Sequence, residues 1–345
     1  MYQKLLKIAV DDGSTNVKAA WLENGQLKTI VSPNSFRKNW KSAALRKDKA
    51  VFNYEIGSTK YTYDATSDKA LETTHVDYQY SDLNLLSVHH ALLQTGIKPQ
   101  KVELVVTLPI TEYYNADDCQ KNEASIERKR QNLMREIALN KGELFEVVDV
   151  TVMPESLPAV LSSLIGTGCN QFTRSLVVDL GGTTLDMGIV VGEFDDVSAV
   201  YGNNEIGVSM VTDIARKALA MADSDSSYLV ANELIKNRNN KEFIREVVND
   251  ESKIDDIIYR IEEKIEELGT QVASEAKKFA KSPNRVYIVG GGASLVTPAI
   301  RKAYPTLGER IISVEGSQAA LAQELCLYFA EDEATVAAPQ TEAVA

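Results

Sequence analysis

The chain has 345 residues, more than one domain usually holds, so we expect two domains, each with its own hydrophobic core. Apolar residues make up 44% of the sequence and charged residues 25%, a composition typical of a globular protein and unlike that of a disordered or fibrous one. The formal net charge of −12 argues against direct binding of nucleic acid, because phosphate neutralisation needs clustered Lys and Arg.

Three widely spaced cysteines and the lack of a long apolar run bear on the compartment. Cys119, Cys169 and Cys326 form no Cys-x-x-Cys pair, which favours reduced thiols over a disulfide or zinc framework. The first residues reach Asp11 and Asp12 before they could supply the apolar core of a signal peptide, and no run is long enough to span a bilayer. We therefore expect a cytoplasmic protein that does not enter a membrane.

The first half of the chain begins with short strands around a polar corner. An apolar run at 6–10 leads into "DDGSTN", and "VKAAWL" and "QLKTIV" then flank an Asn-Gly hairpin turn. The patterns that follow predict a helix over 82–96, a strand over 102–110, an amphipathic helix over 125–142 that is closed by Gly142, and a strand over 144–154. Helical spacing then begins near "SLPAVL".

The second half of the chain opens with a repeat of the first. Residues 175–201 again read strand, glycine corner, strand and turn, and Asp11 pairs with Asp179 at a separation of 168 positions, as Gly13 does with Gly181. An apolar stripe over 254–272 predicts a long packed helix rather than a coiled coil, because it holds fewer than four clean heptads. "RVYIVGGGASLVTPAI" then gives strand, glycine loop and helix. Because strands alternate with helices, the predicted class is α/β with two related halves.

The two glycine corners predict a phosphate site. A glycine turn after a buried strand exposes backbone N–H groups that attract phosphate oxygens. Asp179 at the strand end would repel those phosphates unless a divalent cation lay between them, and Mg²⁺ suits carboxylates that contact it through water. Lys18 is placed to neutralise a phosphate. The predicted cofactor-binding residues of the corners are Asp12, Gly13, Ser14, Thr15, Asn16, Lys18, Gly181, Gly182, Thr183 and Thr184. Each corner alone could be a simple hairpin turn, but the matched pair favours a phosphate clamp.

Four motifs resemble those of the superfamily that contains actin, sugar kinases and DnaK-type chaperones. "AVDDGSTNVKAAW" resembles its first phosphate motif, "VVDLGGTTLDMG" its second, "VMPESLPAVL" its interdomain connector and "VYIVGGGASLV" its adenosine motif. Within that superfamily, "SPNSF", "YQYSD", "VHHALL" and "TLPITEYY" are similar to the ParM (StbA) family of plasmid-encoded actin-like ATPases. The order and spacing agree over nearly the whole chain.

This resemblance implies an actin-like fold of two related domains, with RNase H-like cores that flank a nucleotide cleft. Domain I would cover residues 1–160, with a small insertion at about 32–97, and domain II residues 161–314. Residues 315–330 would form a helix that returns to domain I, and 331–345 a disordered tail.

The resemblance also implies roles for individual residues. Asp11 and Asp179 would hold the water shell of Mg²⁺, and Glu155 would position the attacking water, so that Glu155 and Asp179 are the expected catalytic residues. The adenine would pack on Gly290, Gly291 and Gly292, and Glu233 and Lys236 would lie near the ribose. A helix N-terminal carboxylate and a helix-start turn remain the structural alternatives for Glu155 and the glycine loop. The glycine loop does not settle ATP against GTP.

By the same resemblance, ATP drives assembly into a filament, hydrolysis sets its lifetime, and a small ParR-like adaptor on a centromere-like DNA site links the filament to a plasmid. The expected location is a bacterial cytoplasm. A small-molecule kinase or phosphatase of the same superfamily is the alternative, and a chaperone a third.

Two other features are expected to be structural. His75, His89 and His90 show no metal-ligand pattern, so we expect packing or surface roles. The basic run "ERKRQNLMRE" is expected to be the solvated face of a helix, although in a polymer it would suit an acidic neighbour.

Overall fold

The computed structural model describes residues 5–42, 50–65, 70–73, 76–115, 117–166, 168–314 and 319–337. Fourteen strands and ten α-helices lie within these ranges. They form two five-stranded sheets and one four-stranded sheet, with helices packed on the sheets.

The first five-stranded sheet is built from the first half of the chain. Its order is β3-β2-β1-β7-β9, with β1 antiparallel to β2 and parallel to β7. The strands are β1 (Leu6–Asp12), β2 (Asn16–Glu23), β3 (Gln26–Pro33), β7 (Lys101–Leu108) and β9 (Glu146–Pro154). The predicted hairpin turn is present, because Asn24 and Gly25 both have positive φ angles, of 52° and 77°.

The second five-stranded sheet repeats this topology. Its order is β12-β11-β10-β13-β14, with β10 antiparallel to β11 and parallel to β13. The strands are β10 (Arg174–Leu180), β11 (Leu185–Val191), β12 (Asp196–Asn203), β13 (Arg285–Val289) and β14 (Ile311–Ser313). The strand order and directions therefore confirm the two related halves predicted from the repeat.

A small four-stranded sheet lies beside the first one. Its order is β4-β6-β5-β8, and its strands are β4 (Phe36–Lys38), β5 (Asn53–Ile56), β6 (Thr59–Tyr63) and β8 (Ala138–Leu139). Three of these strands lie in the predicted insertion at 32–97, but β8 comes from outside it. The prediction of one helix over 125–142 is wrong in its second part, because the chain leaves the helix after Leu133 and Ala138–Leu139 pairs with β5.

Ten α-helices cover the sheets. They are α1 (Asp82–Gln94), α2 (Ile110–Tyr113), α3 (Glu123–Leu133), α4 (Leu161–Gly166), α5 (Ser209–Met221), α6 (Tyr228–Lys236), α7 (Lys241–Val247), α8 (Ile254–Phe279), α9 (Ala293–Ala303) and α10 (Ala320–Ala337). The apolar stripe of α8 is buried in the core of the second domain, where α8 packs on α5 and α9, so α8 is the packed helix that the spacing predicts. None of the helices in the described ranges is long and apolar enough to cross a membrane.

The last helix, α10, packs on β1 and β2 and ends later than predicted. The sequence predicts a disordered tail from residue 331, but the helix continues to Ala337. Glu, Asp and Ala dominate this stretch, and Ala and Glu are strong helix formers. Residues 338–345, the rest of the predicted tail, lie outside the described residues.

A cluster of apolar side chains joins the two halves. It includes Ala9 and Val105 from the first sheet, Val177 and Tyr287 from the second, and Leu157 from the connector between them. Each sheet also has a core of its own on its other face. The two domains therefore share a packed base, and the ends of their strands meet above it.

Candidate active site

The two glycine corners predicted from the sequence meet face to face. The first follows β1 and the second follows β10, each at the end of a strand. Ser14 Oγ lies 3.3 Å from Thr183 Oγ1, and a Cβ on Gly182 would come within 2.8 Å of Thr15 Cγ2. Such a close approach of two corners requires glycine at position 182.

Hydrogen bonds fix the shape of each corner. Asn34 braces the first, because its Nδ2 donates to the carbonyl oxygens of Gly13 at 2.9 Å and Ser14 at 2.8 Å. The second corner is closed by a bond from Gly181 N to Thr184 O, at 2.8 Å. Ser209 N donates to Gly182 O at 2.7 Å, so α5 begins directly beside the second corner. The bracing role of Asn34 is absent from the sequence prediction.

Four carboxyl groups line the space around the corners. Asp11 lies at the end of β1, Glu155 follows β9, Asp179 lies at the end of β10, and Asp186 is on β11 opposite Asp179. Lys18 Nζ lies 2.9 Å from Asp11 Oδ2. Burial acts to lower the pKa of Lys18, but Asp11, Asp179 and Glu155 outweigh it and leave this pKa raised. Lys18 therefore remains a cation at neutral pH.

The remaining carboxyl groups repel one another. Burial, together with the charge of Asp11, raises the pKa of Asp179 to about 6. Burial and the charge of Asp179 raise the pKa of Asp186 to about 7. Burial raises the pKa of Glu155 well above its usual value, and the charges of the neighbouring aspartates add to this effect. A bound cation would relieve this repulsion.

The donor set fits a cation that is held through water. No group of three or more His, Cys, Asp or Glu side chains in the described ranges could hold a metal ion by itself. Asp11 and Asp179 nevertheless interact electrostatically across the corners. Mg²⁺ keeps several of its waters and commonly shares its coordination with substrate phosphates, so two carboxylates suit it.

A strained turn fixes Glu155. Its backbone N donates to Leu108 O at 2.7 Å, which ties the residue to the end of β7. Leu157 N donates to Glu155 O at 2.7 Å, and Ser156 between them has φ 71° and ψ −59°. These angles are those of a rare γ-turn, which is strained for a residue other than glycine. The chain thus turns sharply at Ser156, directly after Glu155, and starts the connector to domain II.

The glycines at 290–292 occupy three different environments. Gly290 has φ +86°, and a Cβ there would collide with the Asp179 carboxylate and come within 2.6 Å of Leu180 O. A Cβ on Gly292 would lie 2.6 Å from Leu180 Cδ2, whereas one on Gly291 would meet nothing within 4 Å. Gly290 therefore belongs to the same cluster as Asp179, and Gly291 borders open space.

Several of the predicted site residues are not part of the cluster formed by the facing glycine corners and their four carboxyl groups. Glu233 and Lys236 pair with each other at 2.8 Å on the exposed surface of α6 rather than with residues of the two corners. The Asp12 side chain is wholly buried and accepts hydrogen bonds from Thr107 within domain I, so it faces away from the cleft. Asn16 Nδ2 reaches only its neighbour Thr15, at 3.3 Å.

The described histidines and part of the basic run lie in buried surroundings. His89 and His90 are buried in α1, as expected for packing residues, and His75 lies outside the described residues. The expectation of a solvated basic face is wrong for Lys129, which is fully buried. Its ammonium group pairs with Asp12 inside domain I. Helical spacing alone does not predict that a lysine is buried. The burial of Lys129 is explained by its ion-pair partner Asp12, which lies on β1.

Two family models match the chain. One, described as "Plasmid segregation protein ParM, N-terminal", matches residues 6–165. The other, described as "Plasmid segregation protein ParM, C-terminal", matches residues 169–328. Together they cover both halves of the repeat.

Solved structures show the same fold at low identity. The chain is 13% identical to the actin-like protein Alp7A with a TM-score of 0.71, and the match covers 97% of this chain and 98% of that one. For a ParM of a 15-stranded filament from Clostridium botulinum the values are 15%, 0.70, 95% and 100%. For an archaeal actin homologue in complex with ADP they are 15%, 0.68, 94% and 100%. The fold is therefore actin-like.

A chaperone gives a partial match. The chain is 22% identical over 205 residues to the chaperone protein DnaK of Metamycoplasma hominis. The match covers 58% of this chain but only 33% of the chaperone, so the chain spans about a third of that protein. It agrees with the resemblance of the phosphate motifs to the wider superfamily.

Proposed function

The chain belongs to the ParM family of plasmid segregation proteins, and from this membership and the geometry of its cleft we propose that it is an ATPase that assembles into filaments. The observation that carries the proposal is the pair of facing glycine corners with buried carboxyl groups around them. Exposed N–H groups and a cation site are what a polyphosphate requires. The reaction is ATP + water to ADP + phosphate.

The phosphates would bind between the corners. Gly13, Ser14 and Thr15 from one side, and Gly182, Thr183 and Thr184 from the other, would donate to phosphate oxygens, while Gly181, whose N–H closes the second corner, would let a phosphate approach the main chain. Asp11 and Asp179 would hold Mg²⁺ through its waters. The bound ion would supply positive charge against the β- and γ-phosphates. Lys18 would leave part of its pairing with Asp11 to meet a phosphate oxygen.

Glu155 would orient the water that attacks the γ-phosphorus. In this reaction the bond between the γ-phosphorus and its bridging oxygen breaks as the water bonds, and the protein contributes mainly position and charge. When positive charge neutralises the neighbouring aspartates, the pKa of Glu155 falls and its carboxylate accepts a hydrogen bond from the water.

The nucleoside would lie toward α6. Gly291 borders open space, which supports a base beside the glycine loop. Glu233 and Lys236 would reach the ribose only after their mutual ion pair opens. We propose ATP as the nucleotide, and competition with GTP tests this choice.

ATP binding would favour a filament of many copies, and hydrolysis within it would favour disassembly. A heterologous contact repeated head to tail forms an open polymer, so assembly has a threshold concentration. The net charge of −12 supports a division of labour in which a small ParR-like adaptor binds a centromere-like DNA site and the filament moves it. We propose that the protein is plasmid-encoded and acts in a bacterial cytoplasm, with domain I at residues 1–160 and domain II at 161–314.

Phosphate release measured against protein concentration, with pelleting of the same samples, tests this function. We expect release per molecule to rise above a threshold at which the protein also pellets with Mg²⁺ and ATP. Release that stays low at every concentration until a small phosphate acceptor is added would instead indicate a kinase and contradict the proposal.

A further inference from the structure

A lysine without exposure to solvent lies behind the candidate active site. Lys129 of α3 is 0% exposed, as is its ion-pair partner Asp12. Buried lysines are rare unless they are paired and hydrogen-bonded, because removing an ammonium group from water is costly. The Lys129 ammonium also donates to Gln79 Oε1 and, at 3.0 Å, to Asn84 Oδ1. Its three hydrogens are thus all engaged.

These bonds decide which way the Gln79 amide points. An ammonium group donates and cannot accept, so the oxygen of the Gln79 amide must face Lys129. The orientation of Asn84 is fixed in the same way, because its Nδ2 donates to Asp12 Oδ2 at 2.6 Å. The Gln79 nitrogen therefore points in the opposite direction, and it donates to Glu155 Oε1 at 3.3 Å.

The two elements that carry these residues are also held to each other. Gln79 lies in a 3₁₀ helix, Val76–Tyr80, that packs on α3. The guanidinium of Arg128 stacks 3.9 Å from the ring of Tyr80, and Asn132 Nδ2 donates to Ser81 O at 3.2 Å. The distance between Lys129 and Gln79 is therefore maintained by contacts on both sides of them.

We propose that Gln79 and Lys129 are positioning residues that hold Glu155 for hydrolysis. The inference rests on the proposed role of Glu155. The Gln79 amide occupies one carboxylate oxygen of Glu155, which sets the rotation of the carboxylate and leaves the other oxygen for the water. Lys129 prevents the Gln79 amide from flipping, so its nitrogen, and not its oxygen, faces Glu155. A carboxylate that is free to rotate would orient the water less often.

The test compares two substitutions of Gln79 with one control. Gln79→Met has a similar volume and breaks both bonds, while the Lys129–Asp12 pair stays intact. Gln79→Glu keeps the bond from Lys129 but replaces the donor to Glu155 with a carboxyl oxygen, whose negative charge would also repel Glu155. Arg128→Gln is the control, since it loosens the same helix contact but does not belong to the chain of bonds. Lys129 itself is left unchanged, because its loss would strand Asp12 as a buried charge.

We expect phosphate release per bound ATP to fall on the order of 10-fold in both Gln79 variants, as is usual when a supporting hydrogen bond of a reactive group is removed. ATP affinity should stay near wild type and the control should keep its turnover, whereas Gln79→Met should lower the melting temperature because it leaves one hydrogen of the buried Lys129 ammonium without a partner. In a Glu155→Ala background, Gln79→Met should have no further effect on turnover.

Three results would overturn the proposal. Wild-type turnover in both Gln79 variants would show that Glu155 does not need them. An equal loss in the Glu155→Ala background would show that Gln79 acts elsewhere. Normal turnover of Glu155→Ala alone would contradict the proposed function of Glu155, and the inference would fall with it. The first two outcomes leave that function standing.

Discussion

Lys18 and Asp186 occupy matched positions in the two halves of the chain, and they carry opposite charges. Lys18 and Asp186 are 168 positions apart in the sequence, the same separation as between Asp11 and Asp179. Lys18 lies opposite Asp11 on the neighbouring strand, and Asp186 lies opposite Asp179 in the same way. The first corner is therefore neutralised internally, while the second keeps two carboxyl groups with raised pKa values. The repeat could have pointed to Asp186, because extending the superposition past the corner pairs it with Lys18.

The Asp179 carboxylate should be essential for hydrolysis. We expect Asp179→Ala to lower phosphate release by about 100-fold or more, because the proposed cation loses an anchor beside the phosphates. Asp196→Ala, which removes an exposed aspartate of β12, is the control. Phosphate release within two-fold of wild type in Asp179→Ala would contradict the metal assignment.

Glu155 should affect turnover and not binding. We expect Glu155→Ala to bind ATP and assemble normally but to release phosphate slowly, because only the orientation of the water is lost. The measurement combines equilibrium ATP binding with phosphate release from pelleted filaments. Reduced affinity with unchanged release per bound ATP would show that the role of Glu155 is structural.

The Asp186 carboxyl should make the nucleotide-free protein less stable as pH rises. The pKa of Asp186 rises from 3.8, its ordinary value in an unfolded chain, to about 7 in the folded protein. Between pH 4 and pH 7 the native state therefore binds more protons than the unfolded chain. Stability then falls through this window. We expect Asp186→Asn to lose less stability between pH 5 and pH 8 and to be more stable at pH 8, by about 1 kcal/mol or more.

Urea unfolding of nucleotide-free wild type, Asp186→Asn and the control Asp196→Asn gives this comparison at each pH. Parallel curves for all three proteins would show that Asp186 is ionised at little cost in the folded state.

Among the elements, those with local signals were predictable and those that depend on distant partners were not. Alternating and helical apolar patterns located β1, β10 and α8, and the repeat placed the glycine corners at equivalent strand ends. The end of α3 and the strand β8 depend on pairing with β5, far away along the chain, which local propensity cannot register. The burial of Lys129 depends in the same way on Asp12, which the local sequence of the basic run does not reveal, so that sequence predicts a solvated face.

The loop between β13 and α9 offers a matched pair of substitutions. Gly290→Ala should destabilise the nucleotide-free protein by about 2 kcal/mol or more, because its φ is positive and its Cβ would collide with Asp179 and Leu180. Gly291→Ala should have an effect within about 0.5 kcal/mol, since its Cβ enters open space. Urea unfolding measures both, and equal losses would contradict the different environments assigned to these glycines.

At the scale of the whole molecule, two related domains share a packed base and bring their polar corners together above it. A nucleotide between the corners would bond to both domains, so its γ-phosphate could bias how far the cleft closes. In the proposed filament, each copy would join the next with its cleft closed to the same degree. Hydrolysis would remove the γ-phosphate that favours this degree of closure and so favour disassembly. The central claim is therefore that nucleotide state controls assembly.

Right-angle light scattering with simultaneous phosphate detection tests this claim most directly. The purified protein is measured over a concentration series with Mg²⁺ and ATP, GTP, ADP or no nucleotide, beside Glu155→Ala. We predict that scattering rises with ATP above a threshold concentration and decays as phosphate appears, and that it persists in Glu155→Ala. Flat scattering at every concentration while ATP is bound and hydrolysed would contradict the account.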